Sequence, residues 1–223
     1  MDNFKLARER MVERQLRRRG ISDERVLQAL RVIPRELFVP ARIRDRAYDD
    51  TPLDIGWGQT ISQPYIVAKM IEALNVSDGA RVLEVGTGCG YQTALLALLV
   101  ENVYTIEIVP ELHELANSNL NVLAELNEFN GLLARIALRC GDGAQGWPEA
   151  GPFDGVIVSA AAPEDAPVAL LDQLAPDGRA LIPIGTADQK LYCFTRTVCD
   201  TILSEELLDV RFVPLVNPNE DAD

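Results

Sequence analysis

The sequence predicts a doubly wound α/β fold: a mostly parallel sheet of seven strands, with an N-terminal helical extension and an antiparallel strand pair at the C-terminal end. Three observations carry this. From Arg81 onward, short β-rich apolar runs alternate with helix-length segments, the pattern of a parallel sheet covered on both faces. A glycine-rich turn in VLEVGTGCGYQTALL sits directly between a strand and a helix. Near the end, QKLYCFTRTV and ELLDVRFVPLV follow one another with no helix-length apolar segment between them, which implies antiparallel pairing.

Taken in order, Phe4 to Arg19 reads as a charged helix stopped by Gly20. Ser22 is placed to cap a second helix, DERVLQALRVI, whose Val26, Leu27, Leu30 and Ile33 form an apolar stripe and whose acids lie in the first turn; Pro34 ends it. IGWGQTISQP, residues 55 to 64, reads as a shaped neutral loop with no acid, base or metal ligand. Pro64 opens the next helix, and Val67, Met70, Ile71 and Leu74 recur on one face of it. Five strands follow: RVLEV (81 to 85), NVYTIE (102 to 107), ARIALR (134 to 139), FDGVIV (153 to 158) and RALIPI (179 to 184). Helices are expected at YQTALLALLV, from Pro110 to about Leu126, and around Asp165 to Leu174. The whole reads as one domain: residues 1 to 64 a helical region and loop, 65 to 216 the core, and 217 to 223, NPNEDAD, a disordered tail.

Lys and Arg number 21 against 34 Asp and Glu, a net charge of -13, which argues against a broad nucleic-acid or anionic-membrane footprint, although residues 5 to 46 hold many of the arginines. Cys89, Cys140, Cys193 and Cys199 lack ligand spacing and the single histidine, His113, has no companion, so neither a zinc site nor a Cys/His nucleophile pair is expected. With no signal-type segment at the N-terminus and ALLALLV as the longest apolar run, the expected setting is the cytoplasm. A monomer is the simplest default.

The glycine turn raises the question of which cofactor it faces. Its spacing is Gly86, Gly88, Gly90, not that of dinucleotide folds, and Glu84, Glu107 and Asp142 stand at or beside strand ends that share one crevice in a doubly wound sheet. A pyrophosphate would meet negative charge there, whereas a ligand with a ribose diol, an ammonium and a sulfonium is favoured. S-adenosylmethionine fits, yielding S-adenosylhomocysteine, with no metal. Glu107 can accept from both ribose hydroxyls, the Gly86 to Gly90 turn can face the methionine moiety, and Asp142 can reach the adenine amino group or order the loop beside it. Glu84 reads as a ligand contact, a solvated strand-end acid or a cap for the loop amides. Thr87, Ile108 and Gly143 complete the candidate cofactor set.

The match then becomes specific. MVERQLRRRGISDERVLQAL, IPRELFVP, GQTISQP, VLEVGTGCGYQTALLA, GDGAQGWPEAGPFDGVIVSAAAP, LLDQLAPDGRALIPIG and RFVPLV together resemble the protein-L-isoaspartate (D-aspartate) O-methyltransferases over nearly the whole chain. Asp54 stands where proline is common, Cys89 where serine is common, and LNEFNGLLARIALR is a few residues longer than usual. The resemblance implies a sheet of the S-adenosylmethionine-dependent methyltransferase type. It also implies methyl transfer to the free α-carboxylate of L-isoaspartyl residues in age-damaged proteins and peptides, leading to repair through a succinimide, and leaves D-aspartyl activity open.

That chemistry explains a neutral loop. A carboxylate is already ionised at neutral pH, so no base is needed and the task is alignment. By resemblance Thr60 and Ser62 lie beside the transferred methyl and the acceptor carboxylate, with Ile61, Gln63, Ala161, Val213, Pro214 and Leu215 contacting the peptide. On spacing alone Ser62 reads first as the N-cap of the Pro64 helix, and Trp57 either covers the cleft or packs. A relative that methylates a different carboxylate, or a non-enzymatic protein that keeps the fold, are the competing readings.

Overall fold

The computed structural model describes residues 3–216, so the tail expected at 217 to 223 lies outside the described residues. Helix α1 (Asn3–Met11) passes into a wider π turn, Val12–Leu16, and a tighter 3-10 turn, Arg17–Arg19, before Gly20 stops it at φ 94°. This change of winding accompanies the burial of Met11, Val12 and Leu16 together in the core.

Helix α2 (Glu24–Val32) is capped by Asp23 rather than Ser22: the Asp23 carboxylate accepts from the amides of Arg25 and Val26, an ionised acceptor at the positive end of the helix. The Ser22 amide instead donates to Glu72 at 2.7 Å. The loop expected at residues 55 to 64 is for the most part a hairpin, β1 (Leu53–Gly56) paired antiparallel with β2 (Gln59–Ile61). Trp57 and Gly58 turn it with φ of 53° and 71°, the positive pair that a tight hairpin turn requires. Helix α3 (Pro64–Leu74) starts on its proline and buries Val67, Met70, Ile71 and Leu74.

The main sheet matches the predicted class. Its strands are β3 (Arg81–Val85), β4 (Asn102–Glu107), β5 (Ile136–Cys140), β6 (Phe153–Val158), β7 (Leu174–Ile184), β8 (Gln189–Arg196) and β9 (Ile202–Val210). The order is β5-β4-β3-β6-β7-β8-β9, parallel up to β7 and antiparallel from β7 to β9. Helices α4 (Tyr91–Leu99), α5 (Pro110–Ala124) and α6 (Val168–Asp172) lie in the crossovers.

Several boundaries differ from expectation, among them that of β5, which starts at Ile136 and not at 134 because Leu132–Arg135 forms a 3-10 turn. Helix α6 is short because Pro163 and Pro167 keep the preceding residues out of helical conformation. Strand β7 begins five residues early and absorbs a bulge, with Asp177 at φ 63°. Strand β9 ends at Val210, so RFVPLV lies beyond it and Pro214 makes only an isolated bridge to Ala161.

Side chains alternate across the sheet. Val82, Ile157 and Leu181 join one apolar cluster with Leu16, Leu27, Leu30, Leu74 and Leu95, while Leu83, Val85, Val156, Val158 and Ile182 join a second with Leu170 and Leu174. The N-terminal helices therefore share the core of the sheet's first face.

Candidate active site

The chain runs outward from β3 to β5 and then returns to the other side of β3 with β6, so the strand order reverses at β3. A crevice is expected beyond the C-terminal ends of the strands at such a point. It is present as a cavity of about 520 Å³ whose lining includes Val85 at the end of β3 and Gly86 after it, Ile106 and Glu107 of β4, and Ser159 and Ala160 after β6.

Glu107 is only 4% exposed and bridges two segments. One carboxylate oxygen accepts from the Gly88 amide at 2.7 Å and the other from Val109 at 3.0 Å. Each oxygen keeps a second lone pair, so the group that organises the glycine turn can still accept from a diol. The turn holds Gly86 and Gly90 at φ 88°, a region costly for other residues. Gly143 is needed for a different reason: a Cβ there would lie 2.4 Å from Val85 Cγ1. Of the predicted cofactor residues, Gly86, Thr87, Gly88, Glu107, Ile108 and Gly143 line the cavity.

Glu84, Gly90 and Asp142 do not line it. The Glu84 carboxyl is fully buried, so it is no solvated strand-end acid, and it caps no loop amide. It accepts from Thr93, from Thr105 at 2.7 Å and from Gln92 at 3.1 Å. Burial pushes its pKa up to about 7, against the opposing pull of those three donors and reinforced by the charge of Glu107. The Thr105 hydroxyl is also 2.6 Å from that of Thr87, so the two threonines and Glu84 form one hydrogen-bonded chain. Gly90 stands at the N-cap position of α4, packed on Leu120. Asp142 orders its own loop, one of the two roles open to it, by accepting from Ala144 at 2.9 Å.

On the opposite wall, β2 delivers Gln59, Thr60 and Ile61, and Ser62 and Gln63 follow before α3; all five line the cavity. The N-cap position of α3 belongs to Gln63 and carries no side-chain cap bond, so the Ser62 hydroxyl does not cap this helix. The third wall is the segment after β9, with Val213, Pro214 and Leu215 lining the cavity. Ala161 does not line it; it holds that wall in place. Its amide donates to Val213 O and its carbonyl accepts from the Leu215 amide, both at 2.8 Å.

Several residues escaped sequence reasoning. Gln92 lines the cavity and donates to both Glu84 and Ser159 Oγ. Its position in the helix after the glycine turn was the only available signal. Gln189 had none: its side chain accepts from the Phe212 amide at 2.6 Å and donates to the Phe212 carbonyl at 3.1 Å, pairing that residue as a neighbouring strand would. Trp57 is 53% exposed and, like Asp54 and His113, does not line the cavity. Asp54 accepts from the Gly56 amide in the hairpin and pairs with Arg42. Cys89 is a buried lining residue whose thiol is pushed up to about 11 by burial, and the four cysteines are free. Among the described residues no group of three or more His, Cys, Asp or Glu side chains could hold a metal ion.

The lining chemistry fits S-adenosylmethionine. A carboxylate with spare acceptor capacity stands at the end of β4, and the charged lining residues are Glu107, Asp209 and Arg211, which offer a pyrophosphate little compensation. The family model for protein-L-isoaspartate (D-aspartate) O-methyltransferase matches residues 7–220. The chain belongs to the protein-L-isoaspartate O-methyltransferase family. It is 47% identical over 216 residues to protein-L-isoaspartate O-methyltransferase 1 of Rhodopseudomonas palustris, covering 96% of this chain and 84% of that one. A solved protein-L-isoaspartate O-methyltransferase superposes with a TM-score of 0.81 at 28% identity, over 94% of this chain and 66% of the longer one. A second, from Plasmodium falciparum in complex with S-adenosylhomocysteine, gives 0.77 at 28% identity over 97% and 99% of the two chains. Family membership and fold together make this protein an S-adenosylmethionine-dependent methyltransferase of damaged, isoaspartyl-containing proteins.

Proposed function

We propose that Ser62 and Thr60 orient the free α-carboxylate of an isoaspartyl residue, that Glu107 and the Gly86 to Gly88 turn hold S-adenosylmethionine, and that residues 213 to 215 receive the peptide backbone. The observation that carries this reading is the meeting of three segments, far apart in sequence, around one cavity. When bound, the cofactor supplies a methyl group activated by its sulfonium. The chain supplies position. Ser62 and Thr60 offer neutral hydroxyls, which can hold a carboxylate without the strong pairing that a lysine would impose on its nucleophilic oxygen. The acceptor is ionised at neutral pH, so no side chain needs to remove a proton. Glu107 fixes the glycine turn and the β4 end relative to one another through Gly88 and Val109.

The methyl ester so formed leads to repair through a succinimide, in a monomeric cytoplasmic enzyme that requires no metal, nucleic acid or membrane. The acidic net charge of -13 supports the absence of a nucleic-acid partner. Among the described residues no helix is long and apolar enough to cross a membrane.

Ser62→Ala tests the site. Because the hydroxyl makes no cap bond, its loss is expected to lower kcat on an isoaspartyl peptide by tenfold or more with the melting temperature and S-adenosylhomocysteine affinity little changed. Unchanged kcat at saturating peptide would remove Ser62 from the acceptor site. The substrate class is read from paired peptides differing only in isoaspartate or aspartate: a strong preference for isoaspartate is expected, and equal kcat/KM would transfer the reading to another carboxylate. A D-aspartyl peptide in the same assay measures that activity.

A further inference from the structure

Arg35 belongs to the IPRELFVP segment and has no part in the site described above, yet it is fully buried. It starts the 3-10 turn Arg35–Leu37, and its guanidinium meets no carboxylate among the described residues. Instead Nε donates to the Ala47 carbonyl at 2.7 Å and Nη2 to the Ser62 carbonyl at 2.8 Å. The guanidinium centre lies 4.8 Å over the ring of Tyr91, a lining residue at the start of α4. Nη1 and the Tyr91 hydroxyl are both buried and have no partner of good geometry among the described residues beyond each other. An arginine kept charged in an apolar interior costs stability unless it does something a hydrocarbon cannot. Here the fork spans the Ala47 carbonyl and the carbonyl of Ser62 while resting on the helix that follows the glycine turn. It thus joins the acceptor wall to the cofactor wall through one rigid group.

We propose that Arg35 is a positioning residue for methyl transfer: by fixing the Ser62 peptide plane it sets the direction in which the Ser62 hydroxyl enters the cavity, relative to the cofactor-side turn. This rests on the reading of Ser62 as an acceptor-site residue. The guanidinium itself does not line the cavity, so its effect passes through the loop rather than through contact with substrate. Lysine would preserve the charge but not the planar fork that reaches two carbonyls at once.

The experiment compares Arg35→Lys, Arg35→Gln, Ser62→Ala and the double variant R35K/S62A, with kcat and KM on an isoaspartyl peptide well below the melting temperature of each protein and S-adenosylhomocysteine affinity by calorimetry. Arg35→Lys and Arg35→Gln are each expected to lower kcat at least fivefold while S-adenosylhomocysteine affinity stays within twofold, a split that a simple loss of folded protein would not produce. R35K is expected to cost less than twofold further in the S62A background, because both changes act on the same alignment. If Ser62→Ala is impaired but both Arg35 variants keep wild-type kcat, the Arg35 assignment falls and the Ser62 reading stands. If Ser62→Ala is unimpaired, the Ser62 reading falls, and the Arg35 role with it. Full additivity, or loss of S-adenosylhomocysteine binding in both Arg35 variants, would make Arg35 a core residue only and overturn the proposal.

Discussion

At the scale of single residues, the acids at the strand ends divide in a way that residue type alone does not reveal. Glu84, Glu107 and Asp142 all lie near the crevice in sequence terms, but Glu84 points among Thr93, Thr105 and Gln92, and Asp142 turns back on Ala144. Only Glu107 lines the cavity. The glycine spacing located the turn; alternation along β3 puts Glu84 on the face of Val82, where hydroxyls of Thr93 and Thr105 meet it, and these partners come from a helix and a neighbouring strand. The burial of Glu84 has a thermodynamic consequence. Its folded pKa is raised by burial from the ordinary 4.5 to about 7, so between those values the folded state holds a proton that the unfolded chain has released. Stability is therefore expected to fall as pH rises through that window and to level above it, by an amount on the order of 3 kcal/mol from this group alone. Glu84→Gln, which keeps the shape and can serve the same threonines, is expected to flatten that part of the profile in urea denaturation between about pH 4.5 and 7. A variant whose profile parallels the wild type would show that Glu84 is ionised throughout.

At the scale of elements, the parallel strands and their helices were legible because β3, β4 and β6 are short β-rich runs bounded by turn residues, and their limits coincide with the predicted ones. The acceptor wall was legible as a motif but not as a hairpin, since arms of four and three residues are too short to show alternation and the turn falls on Trp57 and Gly58. The segment after β9 was read as strand because ELLDVRFVPLV follows QKLYCFTRTV with no helix-length apolar segment between them. Its extended form instead depends on Ala161 and on the Gln189 side chain, contacts between residues far apart in sequence. Gln189→Leu would leave the Phe212 amide and carbonyl unpaired, a loss of about 1–3 kcal/mol in local order. The expected result is a KM for isoaspartyl peptide raised severalfold with S-adenosylhomocysteine affinity nearly constant; an unchanged KM would detach this wall from peptide binding. The complementary change is Glu107→Ala. It removes the proposed diol acceptor and also frees the Gly88 and Val109 amides, so S-adenosylmethionine affinity should weaken by roughly 1–3 kcal/mol in a calorimetric titration. Unaltered affinity would exclude the β4 end as the ribose site.

At the scale of the whole molecule, the N-terminal helices are built into the sheet's core, with Leu16, Leu27 and Leu30 in the same apolar cluster as Leu74 and Leu95. The arginines of this region are spent largely on its own acids: Arg17 and Arg31 pair with Glu13 and Glu24, and Arg19 with Asp50. Lys5, Arg10, Arg14, Arg18 and Arg44 stay exposed without an ion pair among the described residues, so the excess negative charge behind the net -13 lies on the rest of the chain, and a substrate approaching the cavity there meets a negative field. An isoaspartyl residue presents a free α-carboxylate, and flanking sequence should matter through charge even where the backbone contacts proposed at residues 213 to 215 do not read side chains. Isoaspartyl peptides with acidic flanks are expected to show kcat/KM severalfold below matched peptides with basic flanks at about 0.01 M salt, where the screening length is about 30 Å. By about 0.5 M salt the screening length falls below about 8 Å and the two should converge. The difference should reside in kcat/KM and not in kcat, because a long-range field acts on encounter and not on the aligned complex. A gap that persists at high salt would instead place the discrimination in short contacts, with Asp209 and Arg211 at the cavity rim as the residues to exchange.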